Sequence, residues 1–249
     1  MLIKKDVRYW TESERNYLDI FLPEQEVKGV YIYIHGGGIT SGDKECISDA
    51  QVNRLTSGGI AVVCPSYRLY PNAKYPEFIE DVAAVAAWVK NHPEEVKGCS
   101  DVFIGGSSAG GYLSMMLYFD NTYLGKYGLS CKDFAGFVFD AGQPTTHFNV
   151  VGERGLDTRR VIVDEAAPLF HIKEYSGEPP MQIFVADNDM ENRYEQTILL
   201  LSTLKHFHYP QDIITYVCKE NCTHCCYLAD DEYAEEVYGF IAKTQASKV

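Results

Sequence analysis

The 249-residue sequence has no long apolar run, no internal repeat and no low-complexity segment. A membrane-spanning helix needs about 20 consecutive, mostly apolar residues, and no stretch of the chain approaches that length. Basic residues are also few, because 22 Lys and Arg stand against 35 Asp and Glu and leave a formal net charge of −13. An acidic surface repels phosphate groups, so we expect neither nucleic acid nor anionic membranes as partners. The sequence therefore predicts a soluble, acidic globular protein.

The first residues lack the pattern of a secretory leader. Residues 1–6 carry charged side chains, but no apolar segment follows them, so we expect no signal peptide and a cytoplasmic location. In that reducing compartment cysteines persist as thiols. We therefore expect no disulfides among the eight cysteines, which stand at positions 46, 64, 99, 131, 218, 222, 225 and 226.

Hydrophobic residues make up 46% and charged residues 23% of the chain, a mixture typical of globular domains rather than of disordered or coiled-coil proteins. Its length fits one domain over residues 1–249. Nearly continuous apolar runs are typical of parallel strands that are buried on both faces. Such runs occur at residues 30–34, 60–64, 102–105, 134–139, 181–186 and 213–218. A more polar pair, around 7–10 and 17–22, predicts an antiparallel edge of the sheet.

Helical patterns separate these runs. Apolar residues recur on one helical face at Phe78, Val82, Val85 and Val89, at Tyr194, Ile198, Leu201 and Leu204, and at Tyr233, Val237 and Phe240. This alternation predicts the α/β class, with a mostly parallel, doubly wound sheet and helices on both faces. Residues 141–180 interrupt it, because they are rich in Gly and Pro and contain no clear strand. We expect a small insertion over the functional edge of the sheet there, with a short helix near 164–171.

A candidate nucleophile lies in Gly106-Ser107-Ser108-Ala109-Gly110, which fits the pattern G-x-S-x-G with Ser108 at its centre. The motif follows a predicted strand and begins an apolar helix. A sharp turn in that context lifts the serine hydroxyl clear of the sheet, and small neighbours allow the chain to turn so tightly. The alternative is an ordinary Gly/Ser turn before a helix. Ser107 is the competing serine, but it lies one position before the centre.

The run His35-Gly36-Gly37-Gly38 follows another predicted strand. Three glycines allow backbone amides to approach a ligand without interference from side chains. Together with the amide of Ala109, the amides of Gly37 and Gly38 are candidates for an oxyanion hole. The alternative is a flexible glycine turn.

A nucleophilic serine needs a base, and the base needs an acid that orients it. The strand–G-x-S-x-G–helix arrangement is found with the order serine, acid, histidine. His224 lies between the last predicted strand and the final helix, whereas His206 and His208 lie at a helix end, where capping or solvation explains them. Asp187 and Asp189 both follow a late strand. The loop resembles a strand–G-x-x-D pattern that favours Asp189 as the acid, with Asp187 as the alternative.

Four cysteines surround His224 in the sequence, and the gaps between Cys218, Cys222 and Cys225 resemble those of zinc fingers. Structural zinc sites usually combine two such pairs, and zinc on His224 would remove the base. Cys218 also lies on a predicted strand. We therefore expect no metal and interpret the cysteines, Cys226 included, as buried thiols that pack beside the site.

Taken together, these motifs resemble the α/β-hydrolases, in particular the hormone-sensitive-lipase-like esterases and their short bacterial relatives. The resemblance is close from residue 31 to about 119 and looser through Asp189 and His224. The matching stretches are residues 35–38, 41–44, 67–71, 75–76, 81 and 106–111. The Cys-rich loop around His224 departs from the family, which usually has a small residue there.

The resemblance implies a carboxylesterase with Ser108 as nucleophile, His224 as base and Asp189 as orienting acid, without a metal or organic cofactor. Only 34 residues precede His35, whereas larger relatives carry an N-terminal segment that helps build a cap. We therefore expect an open site that prefers short-acyl esters of soluble sugar or aryl alcohols. The alternatives are an arylformamidase-type amidase and a non-catalytic binding protein on the same fold. The sequence gives no oligomeric state.

Overall fold

A computed structural model of the protein describes residues 1–247. Within them, eight strands form one sheet: β1 Leu2–Arg8, β2 Tyr17–Leu22, β3 Gly29–Ile34, β4 Ile60–Pro65, β5 Val102–Ser107, β6 Gly136–Asp140, β7 Met181–Asn188 and β8 Ile214–Thr223. Seven α-helices accompany them: α1 Asp49–Ser57, α2 Glu77–Asn91, α3 Ala109–Phe119, α4 Asn121–Gly125, α5 Phe148–Glu153, α6 Arg193–His206 and α7 Asp231–Ala246. No helix of the described chain is both long and apolar enough to cross a membrane.

The sheet has the strand order β1-β2-β4-β3-β5-β6-β7-β8. β1 is antiparallel to β2, and β2 is antiparallel to β4. The other six strands, β3 to β8, run parallel to one another. The predicted class, the mostly parallel sheet and the antiparallel edge are confirmed. Because parallel strands end at one edge, the loops after β3, β5, β7 and β8 all meet there.

Side chains alternate across the sheet and bury both of its faces. Ile32 and Ile104 lie on the face that is covered by α2, α3 and α6. Tyr31, Phe103 and Val138 lie on the opposite face, under α1 and α7. Each large apolar side chain that is fully buried contributes about 1.5–3 kcal/mol, so the two layers hold the strand ends firmly in register.

The buried face of α6 differs from the predicted one. Ile198 is 40% exposed, while Gln196 and Thr197 are buried together with Leu200 and Leu204. The reason is that the start of α6 packs against the polar segment 141–180, where the Thr145 hydroxyl donates to Gln196 Oε1 at 3.0 Å. Apolar periodicity selects the wrong stripe for a helix whose buried neighbours are polar.

Segment 141–180 contains α5 and otherwise little regular structure. The helix predicted near 164–171 is only the short 3₁₀ turn Pro168–His171. Two buried tyrosines of α3 hold the segment to the sheet: Tyr112 donates to the Ala166 carbonyl at 2.9 Å and Tyr118 donates to the Pro179 carbonyl at 2.8 Å. The segment is therefore a tethered insertion that begins where β6 ends.

Candidate active site

Ser108 forms the turn between β5 and α3 with φ 55° and ψ −113°. A positive φ is uncommon for a residue with a side chain and marks a backbone that its surroundings hold in place. The Ser108 amide donates to the carbonyl of Asp140 on the adjacent strand at 2.7 Å. This bond fixes the sharp turn and presents the hydroxyl above the sheet edge.

Two glycines of the motif allow α3 to lie directly against β3. A Cβ atom at Gly110 would lie 1.9 Å from the Ile34 carbonyl oxygen, and one at Gly106 would lie 2.3 Å from it. Real Cβ atoms do not approach so closely. The motif therefore requires glycine at these positions for packing.

His224 connects the serine to a carboxylate. The Ser108 hydroxyl donates to His224 Nε2 at 2.8 Å, and His224 Nδ1 donates to Asp189 Oδ1 at 2.5 Å. The Asp189 side chain is fully buried. Burial would raise the pKa of Asp189, but the hydrogen bond to His224 and the amide of Met190 hold it below its usual range. Asp189 is thus ionised and fixes the imidazole in the tautomer that accepts a proton from serine.

Asp187, the alternative acid, has a different role. Its exposed carboxylate accepts the amides of Asn221 and Cys222 at 2.8 and 3.0 Å, and these bonds hold its pKa below the usual range. β8 is longer than the predicted strand and reaches Thr223, which pairs with Asn188. Asp187 therefore fastens the chain that leads to His224, whereas Asp189 contacts the histidine itself.

The glycine run forms a loop beside the serine. Gly37 and Gly38 have φ of 95° and 62° and line the same cavity as Ser108. A Cβ at Gly37 would lie 2.2 Å from the Ser41 carbonyl oxygen, so only glycine fits. Ala109 is the first residue of α3, where backbone amides have no partner within the helix. The structure thus brings all three predicted oxyanion donors to the neighbourhood of the serine.

His35 supports the glycine loop from its buried side. It is buried, stacks on Tyr67 at 4.2 Å between ring centroids, and donates from Nδ1 to the Gly36 carbonyl at 2.8 Å. Burial lowers the pKa of His35 to about 4. The ring is therefore neutral at physiological pH and serves packing rather than proton transfer.

Asp140 is a buried carboxylate that the sequence did not single out. It accepts hydrogen bonds from Tyr227 at 2.5 Å and Tyr233 at 3.2 Å, and the Ser107 hydroxyl also bonds to it. Burial raises the pKa of Asp140 to about 6, although these hydrogen bonds act in the opposite direction. Asp140 ties the serine turn, the loop after His224 and α7 together. The sequence did offer one sign of this role, because Asp140 is a single carboxylate at the end of an apolar, buried strand.

Ser108 and His224 open into a cavity of about 590 Å³. Its apolar walls come chiefly from Phe148 of α5, Met190 and Leu228. Asn149, the neighbour of Phe148, donates from its side chain to the Gly38 carbonyl and so links segment 141–180 to the glycine loop. No sequence pattern marked Phe148 or Asn149, because both lie in the irregular insertion.

The prediction that the cysteines near His224 are all buried beside the site is wrong. Cys225 lines the cavity with Sγ 3.7 Å from His224 Nε2, and burial raises the pKa of its thiol. Cys226 is exposed, and Cys218 and Cys222 are half-buried, because the end of β8 and the following turn lie at the surface. These four cysteines are not joined in disulfides. Within residues 1–247, no group of three or more His, Cys, Asp or Glu is arranged to hold a metal ion.

Known proteins share parts of this sequence. The family model BD-FAE matches residues 18–137. The probable carboxylic ester hydrolase LipM of Mycobacterium tuberculosis is 35% identical over 116 residues, which are 45% of this chain and 27% of that protein. The acetyl esterase of Salmonella typhi is 28% identical over 39% of this chain and 30% of its own length. The chain thus spans less than a third of the length of these curated relatives.

Solved structures share the whole fold. A truncated form of a carbohydrate esterase from gut microbiota superposes with a TM-score of 0.81 at 18% identity, over 99% of this chain and 97% of that one. Esterase B from Lactobacillus rhamnosis gives 0.74 at 19% identity, over 99% and 87%. These likenesses establish the fold, and the sequence matches agree with the predicted resemblance. The chain has the α/β-hydrolase fold and is similar in sequence to the hormone-sensitive-lipase-like esterases.

Proposed function

We propose that the protein is a serine hydrolase that cleaves carboxylic esters through an acyl-enzyme intermediate. The observation that carries this proposal is the chain of hydrogen bonds from Ser108 through His224 to Asp189, at 2.8 and 2.5 Å. A serine hydroxyl becomes a nucleophile when an oriented imidazole accepts its proton. The similarity to proteins named esterases supports the same reaction class.

In the acylation step, Ser108 Oγ attacks the ester carbonyl while its proton passes to His224 Nε2. The amides of Gly37, Gly38 and Ala109 donate to the oxygen that becomes negative. When the tetrahedral intermediate collapses, the C–O bond to the alcohol breaks and the imidazolium protonates the leaving alkoxide. The carboxylate of Asp189 stabilises the imidazolium without accepting its proton.

Deacylation repeats these steps with water as the nucleophile. His224 removes a proton from water, the resulting hydroxide attacks the acyl carbonyl, and the proton returns to Ser108 as the acid leaves. Proton transfer and charge stabilisation are both supplied by groups of the chain. The reaction as proposed needs no cofactor.

We propose short-acyl esters of soluble sugar or aryl alcohols as substrates. The proteins named acetyl esterase and carbohydrate esterase support this substrate class. The cavity has a volume of about 590 Å³, and its apolar walls come mainly from three side chains, those of Phe148, Met190 and Leu228. A long acyl chain gains binding energy only where it is removed from water, so this site favours acetyl and similar groups.

The test is hydrolysis of 4-nitrophenyl acetate by the full chain, together with labelling by a fluorophosphonate that mass spectrometry locates. We expect turnover, with the label on Ser108. The Ser108→Ala variant should lose at least about a thousandfold in rate. Ser107→Ala is the matched control, and it should retain activity and be labelled. Absence of turnover in the folded wild-type protein, or a label on Ser107, would contradict the proposal.

A further inference from the structure

A second cavity of about 360 Å³ adjoins the catalytic one. The two share Phe148 and Met190 in their walls, so a substrate held at Ser108 reaches the second cavity past these side chains. Segment 141–180 forms one wall of this second cavity, and the loop before α6 and the start of that helix form the other. The mechanism proposed above makes no use of it.

The second cavity differs from the first in charge. Among residues 1–247, no Asp, Glu, Lys or Arg lines the catalytic cavity, whereas Arg159, Arg160 and Arg193 line the second one. That lining also contains one carboxylate from the described part of the chain, Glu191. The second cavity therefore has three guanidinium groups in its wall, although the chain as a whole has a formal net charge of −13.

The three arginines are not equally available. Arg159 forms an exposed fork with both carboxylate oxygens of Asp157. Arg193 is buried, and its guanidinium donates to the carbonyl of Ala141 and to Gln143 Oε1 at 3.3 Å, both of which are uncharged. In residues 1–247, the guanidinium of Arg160 has neither a hydrogen bond nor an ion pair. Both charges have a carboxylate nearby, since Arg160 acts on Asp157 and Arg193 acts on Asp189. Arg160 is nevertheless an exposed cation at the mouth of the cavity that no hydrogen bond holds, and Arg193 lies at the base.

We propose that this second cavity is a subsite for a carboxylate carried by the substrate, so that the preferred ester bears an acidic group remote from the scissile bond. The inference rests on the proposed esterase function. A guanidinium binds a carboxylate through charge-assisted, directional hydrogen bonds. The acidic group belongs either to the acyl part, as in a hemiester of a dicarboxylic acid, or to the alcohol part, as in an ester of an acidic sugar.

Two matched pairs of esters test the subsite and distinguish these sources. The first compares 4-nitrophenyl hemiglutarate with the 4-nitrophenyl ester of monomethyl glutarate, which removes the charge from the acyl part. The second compares 3-acetoxybenzoate with 3-acetoxybenzamide, which removes it from the alcohol part. We expect a higher kcat/KM for the acidic member of one pair, mainly through KM. The preference should weaken at high salt, because Arg160 is solvent-exposed.

Arg160→Ala should lower the acidic-to-neutral ratio of kcat/KM by about fivefold, and Arg160→Lys should restore part of it. Arg8→Ala on the edge strand β1 removes the same charge far from the cavity and should leave the ratio unchanged. Equal rates within both pairs, or the same loss of ratio in both alanine variants, would overturn the subsite.

A binding measurement separates the subsite from the esterase reaction. Glutarate should bind the Ser108→Ala protein more tightly than neutral glutaramide does, as measured by NMR titration. The added change Arg160→Ala should weaken glutarate binding by about fivefold. If no ester is hydrolysed but this binding pattern is found, the subsite stands and the esterase proposal fails. If esters are hydrolysed and glutarate binds no better than glutaramide, the esterase proposal stands and the subsite fails.

Discussion

The strand ends and segment 141–180 meet at the catalytic cavity, and they are held in different ways. Ser108, Asp189 and His224 each follow a parallel strand whose pairing fixes its register, and the side chain of Asp189 is completely buried. Segment 141–180 has a single α-helix of six residues, and its Val161 and Phe170 are 53% and 58% exposed. It is anchored by side-chain hydrogen bonds such as that of Tyr112 and by a few buried side chains such as Leu169 and Ile172.

This difference separates chemistry from selectivity. Proton transfer tolerates errors of only a few tenths of an ångström, so its residues belong on rigid elements. Walls that touch remote parts of a substrate tolerate variation, and loops supply such walls on many scaffolds. Changes at the strand ends should therefore cost orders of magnitude in rate, whereas changes in the segment should alter which substrate is preferred.

The largest effect is expected at the two aspartates at the end of β7, Asp187 within the strand and Asp189 directly after it. Asp189→Asn should lower kcat by about 10³–10⁴-fold, because the amide no longer fixes the required imidazole tautomer. Asp187→Asn is the matched control and should cost less than about tenfold, since its carboxylate only accepts amides of the chain before His224. Steady-state or stopped-flow assays on both folded variants measure the loss of kcat. Equal losses in the two variants would contradict the assignment of Asp189 as the carboxylate that orients His224.

Asp140 lies where the two regions join, and its effect should appear in stability. Its pKa is raised from 3.8 to about 6 in the folded protein, so the neutral form contributes stability below pH 3.8 that is lost as pH rises through about 6. Relative to Asp140→Asn, the free energy of unfolding of the wild type should fall by about 2 kcal/mol between pH 4 and 7.

Urea unfolding at several pH values measures this change. Lost hydrogen bonds to Tyr227 and Tyr233 add a constant offset, so the slope with pH is the informative quantity. Glu94→Gln, at an exposed carboxylate in the turn before β5, is the control for general charge effects. A difference between wild type and Asp140→Asn that stays constant with pH would contradict the raised pKa.

The sequence predicted the strand ends better than the segment, for a physical reason. G-x-S-x-G, the glycine run and buried apolar strands are local patterns, since each is required by a turn, a close approach or burial within a few residues. They gave the sheet, its antiparallel edge and the residues that the structure brings together at the cavity. The sequence favoured Asp189 over Asp187 as the acid only because the loop after the strand resembles the strand–G-x-x-D pattern.

What the sequence missed depends on contacts between distant residues. Asn149 reaches Gly38 across 111 positions, and Asp140 meets Tyr227 across 87. The prediction of which face of α6 is buried was wrong, because polar residues of segment 141–180 cover the start of this helix. Many tyrosines lie in the core, and of those in residues 1–247 only Tyr33 lines the catalytic cavity.

A smaller effect is expected where the segment touches the glycine loop. Asn149→Ala removes the side-chain donor to the Gly38 carbonyl and should reduce kcat by about tenfold, with little change in KM, because a loosened oxyanion donor acts mainly in the transition state. Lys173→Ala, at an exposed position of the same segment that lines neither cavity, is the control. A change confined to KM would show that Asn149 contacts substrate instead of supporting the loop.

The smallest effect concerns acyl length, where the segment should set preference without altering the chemistry. A buried methylene contributes about 0.8 kcal/mol, but Phe148, Met190 and Leu228 provide apolar wall for only a few of them. In a series of 4-nitrophenyl esters from acetate to decanoate, kcat/KM should therefore fall beyond about hexanoate, when measured below any micelle concentration. Phe148→Ala should reduce the ratio of butyrate to acetate by about threefold, since it removes one wall while Ser108 and His224 stay in place. A maximum at decanoate in the wild type would mean that segment 141–180 forms a deeper apolar site than its exposed Val161 and Phe170 indicate.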